Sequence, residues 1–101
     1  MYELRFAKAA AQALTDLEQR DRTRLRRVRK TLGLLQANPR HPGLNSHRYE
    51  SFPGQPTVKV WDSYSDQGAG ASRIFWTYGP DEKRGGEAVR VITVLAITPH
   101  P

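Results

Sequence analysis

The sequence predicts an α+β fold, in which an N-terminal strand and a hairpin of two helices precede a three-stranded antiparallel meander. Three observations predict it. Hydropathy alternates with a period of two near the N-terminus and again after residue 57, whereas apolar residues between 8 and 37 recur three and four apart. Pro and Gly are concentrated in residues 39–56, between these regions. The simplest arrangement is a four-stranded, mostly antiparallel sheet with both helices on one face, in a single domain of residues 1–101.

The first strand and the first helix are separated by a change of period. Residues 2–6 (YELRF) alternate apolar and polar side chains, which is typical of a strand with one buried face. Residues 8–19 are rich in alanine and predict an amphipathic helix. The side chains at helical spacing that would face the core are Ala10, Ala13, Leu14 and Leu17.

The second predicted helix begins after Asp21 or Thr23, since either residue is a good N-cap. It ends at Asn38, because the residue before a proline avoids the helical conformation. Gly33 lies in its interior and weakens it by about 1 kcal/mol relative to alanine. Its predicted apolar stripe consists of Leu25, Val28, Leu32 and Leu35.

The sequence of the C-terminal half predicts an ordered connection followed by three strands. Residues 39–56 predict an ordered connection with one short strand around residues 46–52. Alternation predicts strands over Thr57–Tyr64 and Ser72–Tyr78, and in the second of these Ile74 and Trp76 belong to the core. A polar loop is expected at 79–86. Residues 88–98 are nearly all apolar, which predicts a central strand buried on both faces.

Composition excludes several classes of function. The chain has no cysteine, which excludes a disulfide scaffold, a thiolate nucleophile and a Cys-based metal site and fits a cytoplasmic protein. No apolar run approaches the roughly 20 residues of a membrane helix, and no secretory signal is visible, so we expect no membrane association. Phosphate-loop, dinucleotide-binding, zinc-protease and serine-hydrolase motifs are missing, and no acidic residue is suitably spaced from the histidines for a metal site.

The net charge of +6 is concentrated in one segment. Residues 20–30 carry seven basic residues and one acid, whereas the rest of the chain carries nine of each. Such a block attracts a polyanion or an acidic partner through salt-screened forces. The alternative is a solvated, arginine-rich helix face without a partner.

The residues that could carry chemistry are histidines beside basic side chains. His41, His47 and His100 are of the residue type that titrates near neutrality. Metal-independent RNA cleavage needs a base for the 2′-hydroxyl, an acid for the leaving 5′-oxygen and a cation for the phosphoryl charge. Tyr49, next to His47 and Arg48 in the connection, is a candidate for stacking on a base.

Several strings resemble the RelE/ParE superfamily of toxins from type II toxin–antitoxin systems, over nearly the whole chain. They are YELRF with the following Ala-rich helix, LGLLQANPRHPGLNSH, ASRIFWTYG and VITVLAITPH. The resemblance implies the RelE/ParE-like fold. In the nuclease members it implies that Arg73 contacts the scissile phosphate, that His100 after the last strand takes part in proton transfer, and that Lys59 supplies a further cation. His47, with His41 behind it, is the nearest candidate for a base in the preceding connection.

The resemblance further implies a toxin that cleaves mRNA without a metal or organic cofactor. Its partner would be a cognate antitoxin, and the ribosome is its expected second partner. Two alternatives stay open at this point: a ParE-like toxin that inhibits DNA gyrase without cutting RNA, and a basic domain that binds RNA without cleaving it. The residues that we predict to contact RNA are Arg26, Arg27, Lys30, Arg40, His41, Arg48, Tyr49 and Arg90.

Overall fold

The chain folds into two helices and a mixed sheet, so the predicted α+β class is confirmed. The computed structural model describes residues 1–50, 52–54, 58–65 and 71–99. The helices are α1 (Lys8–Arg20) and α2 (Arg22–Ala37), followed by a 3₁₀ turn at Pro42–Leu44. The strands are β1 (Glu3–Phe6), β2 (His47–Tyr49), β3 (Val60–Tyr64), β4 (Ser72–Tyr78), β5 (Glu82–Arg84), β6 (Glu87–Val89) and β7 (Val91–Pro99).

The main sheet has five strands in the order β1-β7-β4-β3-β2, rather than the four predicted. β1 pairs with β7 in parallel and the other pairs are antiparallel. The additional member is β2, which pairs with β3 so that His47 lies opposite Asp62 and Tyr49 opposite Val60. The sequence predicts a short strand there, but three residues carry too little periodicity to assign it to a sheet.

A second, two-stranded hairpin of β5 and β6 replaces the predicted loop at 79–86, and the central strand therefore begins at Val91 rather than Ala88. Ion pairs hold this hairpin beside β1. Arg5 donates to both carboxylate oxygens of Glu82, at 3.0 and 2.7 Å, and Arg84 donates to Glu3 at 2.8 Å. The sequence of this segment is polar and predicts a loop. Its ion-pair partners on β1 are more than seventy residues away, so no local pattern indicates them.

Both helices pack on one face of the sheet, as predicted. The Asp21 side chain accepts a hydrogen bond from the Arg24 backbone N–H at 3.0 Å, which caps α2, and α2 ends at Ala37 before the Asn38-Pro39 pair. Burial of each large side chain of the stripe contributes roughly 1.5–3 kcal/mol. The core that the two helices share with β4 and β7 includes Ala10, Val28, Leu32, Leu35, Ile74, Trp76, Ile92 and Val94.

The opposite face of the sheet carries Arg73, Phe75 and Thr77 of β4, which alternate with the core residues of the same strand. The helices therefore leave a second face on which polar and aromatic side chains are arranged. Of the described helices, none has both the length and the apolar character that a membrane crossing needs.

Candidate active site

The pairing register collects side chains from three strands on the face away from the helices. Residues directly opposite each other in antiparallel strands point to the same side of the sheet. Tyr64 lies opposite Arg73, and Asp62 lies between His47 on one side and Phe75 on the other. We call this surface, comprising His47, Tyr49, Asp62, Tyr64, Arg73 and Phe75, the open face.

Arg73 is anchored in the centre of the open face by Asp62. Both the Nε and one terminal nitrogen of Arg73 donate to the same Asp62 oxygen, at 3.1 and 2.5 Å. The Asp62 side chain is only 3% exposed, whereas that of Arg73 is 22% exposed. The hydrogen bond to Asp62 raises the pKa of Arg73, against the opposing effect of burial. The guanidinium is therefore fixed in place and remains in contact with solvent.

Three aromatic rings surround the guanidinium. Its central carbon lies 5.5 Å from the ring centroid of Tyr49, 5.7 Å from that of Tyr64 and 5.0 Å from that of Phe75. Tyr49 also packs edge-on against Phe75, with 5.0 Å between the centroids. Cation–π contacts of this kind restrict the arginine further. Phe75 is buried, so the half-buried rings of Tyr49 and Tyr64 provide the aromatic surface against which a nucleobase could stack.

His47 belongs to the same face. It is exposed on the edge strand β2, and its ring centroid is 6.4 Å from that of Tyr64, which itself contacts Arg73. The structure thus brings together two of the four predicted catalytic residues, Arg73 and His47. His100 lies outside the described residues. Thr98, near the end of β7, is the residue opposite Arg73.

The other predicted catalytic residue, Lys59, is not brought to Arg73. It precedes β3, and its backbone carbonyl accepts a hydrogen bond from the Thr77 hydroxyl at 2.8 Å. That position is level with Tyr78, about 16 Å along the sheet from Arg73. Alternation along β3 also directs Lys59 to the side of Trp61, away from the open face.

The predicted RNA-contacting residues are divided between several surfaces. Tyr49 lies on the open face, whereas Arg48 lies over the ring of Trp61 at 5.7 Å, on the helix side. Arg90 packs over Tyr2 at 4.4 Å, at the opposite end of β7 from the Arg73 site. The residues that lie elsewhere are Arg26, Arg27 and Lys30, exposed on α2, and Arg40 and His41, beside the 3₁₀ turn.

Sequence reasoning missed two members of the site, Asp62 and Tyr64. A signal for them exists, because Val60, Asp62 and Tyr64 alternate on one side of a strand and an acidic residue is unusual in such a buried position. Its significance depends on the neighbouring strand, since only the pairing of Tyr64 with Arg73 places the carboxylate beside the guanidinium.

The arrangement provides a positioned cation, a histidine and two phenol groups on one solvent-accessible surface. Within the described residues, no group of three or more histidine and acidic side chains is placed to hold a metal ion. The side chains can bind a phosphodiester, stack on a base and transfer protons.

Comparison with solved structures finds the same fold in a YoeB/ParE toxin from Agrobacterium tumefaciens. The two chains superpose with a TM-score of 0.67, over 100% of each, at 11% sequence identity. No protein-family model and no curated protein matches this sequence. At such low identity the similarity shows the fold alone, and the RelE/ParE-like fold that the sequence predicts is confirmed.

Proposed function

We propose that this protein is the toxin of a type II toxin–antitoxin system and that it inhibits translation by cleaving mRNA. The observation that carries the proposal is the Arg73 site: a guanidinium held by a buried carboxylate, framed by Tyr49 and Tyr64, with His47 on the same face. The shared fold with a YoeB/ParE toxin supports the toxin part of the proposal. The chemistry of the site supports the nuclease part.

Arg73 would bind the scissile phosphate. A guanidinium has five N–H donors, and Asp62 accepts from two of them. Donors beyond these two can reach the non-bridging oxygens, whose negative charge increases as the 2′-oxygen attacks phosphorus. Because Asp62 and the surrounding rings fix the guanidinium beforehand, little reorganisation is needed when that charge develops.

The proton transfers are assigned to His47 and His100. One imidazole accepts the proton of the 2′-hydroxyl, so that the 2′-oxygen attacks the adjacent phosphorus. The other donates a proton to the departing 5′-oxygen, which leaves a 2′,3′-cyclic phosphate and a 5′-hydroxyl. Either histidine can take either role in this scheme, and neither step uses a metal ion or an organic cofactor.

The test is cleavage of ribosome-bound message by a variant without the guanidinium. Arg73→Ala alone would leave the Asp62 carboxylate buried without its partner, which is a destabilising change. The informative variant is therefore Arg73→Ala combined with Asp62→Asn. We expect cleavage to fall by about 100-fold or more, because the loss of one preorganised donor to a developing oxyanion has an effect of that size.

The matched control is Asp62→Asn alone, which keeps the cation and should retain measurable cleavage and growth inhibition. Circular dichroism and the denaturation midpoint would establish that both variants are folded. A double variant that is folded and still cleaves message at the rate of the control would refute the nuclease proposal.

A second candidate is a toxin that binds and inhibits DNA gyrase. The observation that favours it is the ion pair of Arg73 with Asp62. This pair compensates the positive charge of Arg73 and is compatible with a purely structural role. This candidate predicts that supercoiling fails before translation on expression and that His47→Ala and His100→Ala leave toxicity unchanged. Pulse labelling of protein synthesis beside plasmid topology assays would separate the two.

The proposed function implies an antitoxin partner. A cavity of about 250 Å³ between the two helices and the end of β7 has an apolar lining of Ala13, Leu17 and Ile97. Its charged lining residues are Arg20, Arg24 and Asp16, so the basic side chains outnumber the acidic one. An acidic, amphipathic segment matches this combination, because its apolar side chains could enter the cavity while its carboxylates face the arginines.

A further inference from the structure

A second cavity lies on the other side of the sheet from Arg73, between β3, β4 and the loop after α2. Its volume is about 620 Å³, which lies within the range of small-ligand sites. Among the residues that line it are Arg40, His41, Ser46, Trp61, Trp76 and Tyr78. The active-site proposal uses none of these side chains.

One wall of this cavity is aromatic. The rings of Trp61 and Trp76 are stacked, with 6.1 Å between centroids and 20° between planes, and Tyr78 meets Trp76 edge-on at 5.0 Å. Trp76 is 1% exposed, whereas Tyr78 is 44% exposed and Trp61 is half-buried. The wall therefore combines a buried ring, Trp76, with the accessible rings of Trp61 and Tyr78, which a planar ligand would cover.

Hydrogen bonds hold the buried Trp76 ring of this wall in position. The indole N–H of Trp76 donates to the Ser63 hydroxyl at 2.8 Å, and that hydroxyl is 2.7 Å from the hydroxyl of Ser46. Ser46 belongs to the loop that forms the opposite side of the cavity. These hydrogen bonds therefore join the two sides of the cavity.

The rim of the cavity is basic. Burial raises the pKa of the Tyr78 hydroxyl, and the positive charge of the exposed Arg40 opposes that rise. The Nδ1 of His41 accepts a hydrogen bond from the Gly43 backbone N–H at 2.9 Å, so a neutral His41 carries its proton on Nε2 and can donate from there. No acidic side chain is among the described residues that line the cavity.

The edge strand β2 connects this cavity with the open face. Its residues alternate, so that His47 lies on the open face while Arg48 lies over Trp61 on the helix side. A single RNA strand that passes across this edge would meet His47 first and Arg48 next. The two surfaces are therefore adjacent across one short strand, although they belong to opposite faces of the sheet.

We propose that this cavity binds one nucleotide of the RNA strand, with the base against Trp61 and Tyr78 and the phosphate at Arg40 and His41. Aromatic surface beside cations is the combination that recognises nucleotides of single-stranded RNA. As a subsite for the RNA substrate, the cavity rests on the proposed function. Nucleotide binding in it can nevertheless be measured without any cleavage.

The two tryptophans of the chain are Trp61 and Trp76, and both line this cavity, so intrinsic fluorescence reports on it directly. The probes are adenosine 5′-monophosphate and a short single-stranded oligoadenylate, titrated into the folded Arg73→Ala/Asp62→Asn protein, in which cleavage is expected to be abolished. We expect saturable quenching by both. Ribose 5-phosphate, which has no base to stack, should not quench.

Arg40→Glu is the informative variant, and Lys83→Glu, an equal change of charge at an exposed position of β5, is its control. Loss of a charged hydrogen bond to phosphate should weaken binding about tenfold or more in the first variant. The control should differ little from the parent. Equal weakening in both would reduce the effect to overall charge and overturn the proposal.

The remaining outcomes also test the RNA subsite. Quenching by the mononucleotide but not by the oligonucleotide would assign the cavity to a soluble nucleotide and refute the RNA subsite. Quenching by a synthetic acidic, amphipathic peptide alone would assign the cavity to a protein partner and refute the RNA subsite as well. Message cleavage without any quenching would refute the subsite and leave the nuclease proposal intact. Quenching without cleavage by the wild-type protein would refute the nuclease proposal and leave only RNA binding in the cavity.

Discussion

At the scale of single residues, the central feature is the pair of Arg73 and Asp62. A buried carboxylate without a partner is unfavourable, and an arginine on an open surface is normally mobile. The two side chains stabilise each other, since Arg73 compensates the charge of Asp62 and Asp62 orients the guanidinium. The pair is thus a structural element that also presents a cation in a defined position.

Removal of the Asp62 carboxylate should lower stability. We expect Asp62→Ala to reduce the free energy of unfolding by about 1–3 kcal/mol, because Arg73 is partly exposed and water replaces some of the lost interaction. Asp62→Asn should be less destabilising, since the amide still accepts a hydrogen bond. Urea denaturation measures both, and Asp16→Ala on the exposed side of α1 is the control. Equal stability of Asp62→Ala and the parent would show that the pair contributes nothing to the fold.

At the scale of secondary-structure elements, α2 combines a buried apolar stripe with one residue, Gly33, that lowers the stability of the helix. Leu25, Val28 and Leu35 are buried, and Asp21 caps the N-terminus. Gly33 is exposed in the interior of the helix, and a Cβ atom built there would meet nothing within 4 Å. The glycine therefore has no packing reason to be there, and its conformational freedom in the unfolded chain opposes folding.

Gly33→Ala should stabilise the protein by about 0.5–1 kcal/mol, through the unfolded state and the higher helix propensity of alanine. The measurement is the shift of the urea midpoint at an unchanged slope. Gly54→Ala is a useful contrast, because Gly54 has a φ of +80° and alanine would be strained there. A destabilised Gly33→Ala protein would mean that this face of α2 is packed in solution.

The hairpin of β5 and β6 has no buried residue in either strand, and ion pairs join it to β1. Hydrogen bonds from Arg5 lower the pKa of Glu82, and hydrogen bonds from Arg84 lower that of Glu3, both from an ordinary value of 4.5. A carboxylate with a lowered pKa in the folded state contributes its full stabilisation above the unfolded value. That stabilisation is lost as the pH falls through the folded value.

We therefore expect amide exchange in residues 82–89 to accelerate as the pH decreases below about 4.5, relative to the core strands and after correction for the intrinsic rate. High salt should weaken the protection even at neutral pH, because the ion pairs are exposed. In Glu82→Gln the protection at neutral pH should already be reduced. Protection that is constant with pH would show that the hairpin is held by other contacts.

At the scale of the whole molecule, functions are separated by surface. The helices cover one face of the sheet, the Arg73 site occupies the other, and the excess positive charge lies in residues 20–30 around the α1–α2 junction. The charge block is therefore not part of the proposed chemistry. Its position suits attraction of RNA or of an acidic antitoxin to the molecule.

Reversal of charge at Arg26 and Arg27 should weaken association with ribosomal RNA strongly at low salt and less at high salt, because counterion release governs such contacts. The double variant Lys8→Glu/Lys83→Glu changes the net charge equally at exposed positions elsewhere and is the control. Filter binding across a salt series measures the slope. A loss of affinity that is independent of salt would contradict an electrostatic role.

Local sequence patterns are enough to predict the class of fold, both helices with their apolar stripes, the central strand and the location of the charge block. These properties follow from local periodicity, capping and composition, which neighbouring residues express together. The face to which Arg73 points also follows from alternation with Ile74 and Trp76.

Which side chains meet depends on how the strands and loops pack together. Strand register places Asp62 and Tyr64 at Arg73, sets Lys59 and Arg90 apart from it, and makes β2 a fifth strand. Packing of the loop after α2 against Trp61 and Trp76 creates the second cavity. The physical reason is that register and packing join residues distant in the chain, and their energies depend on pairs that no local pattern contains.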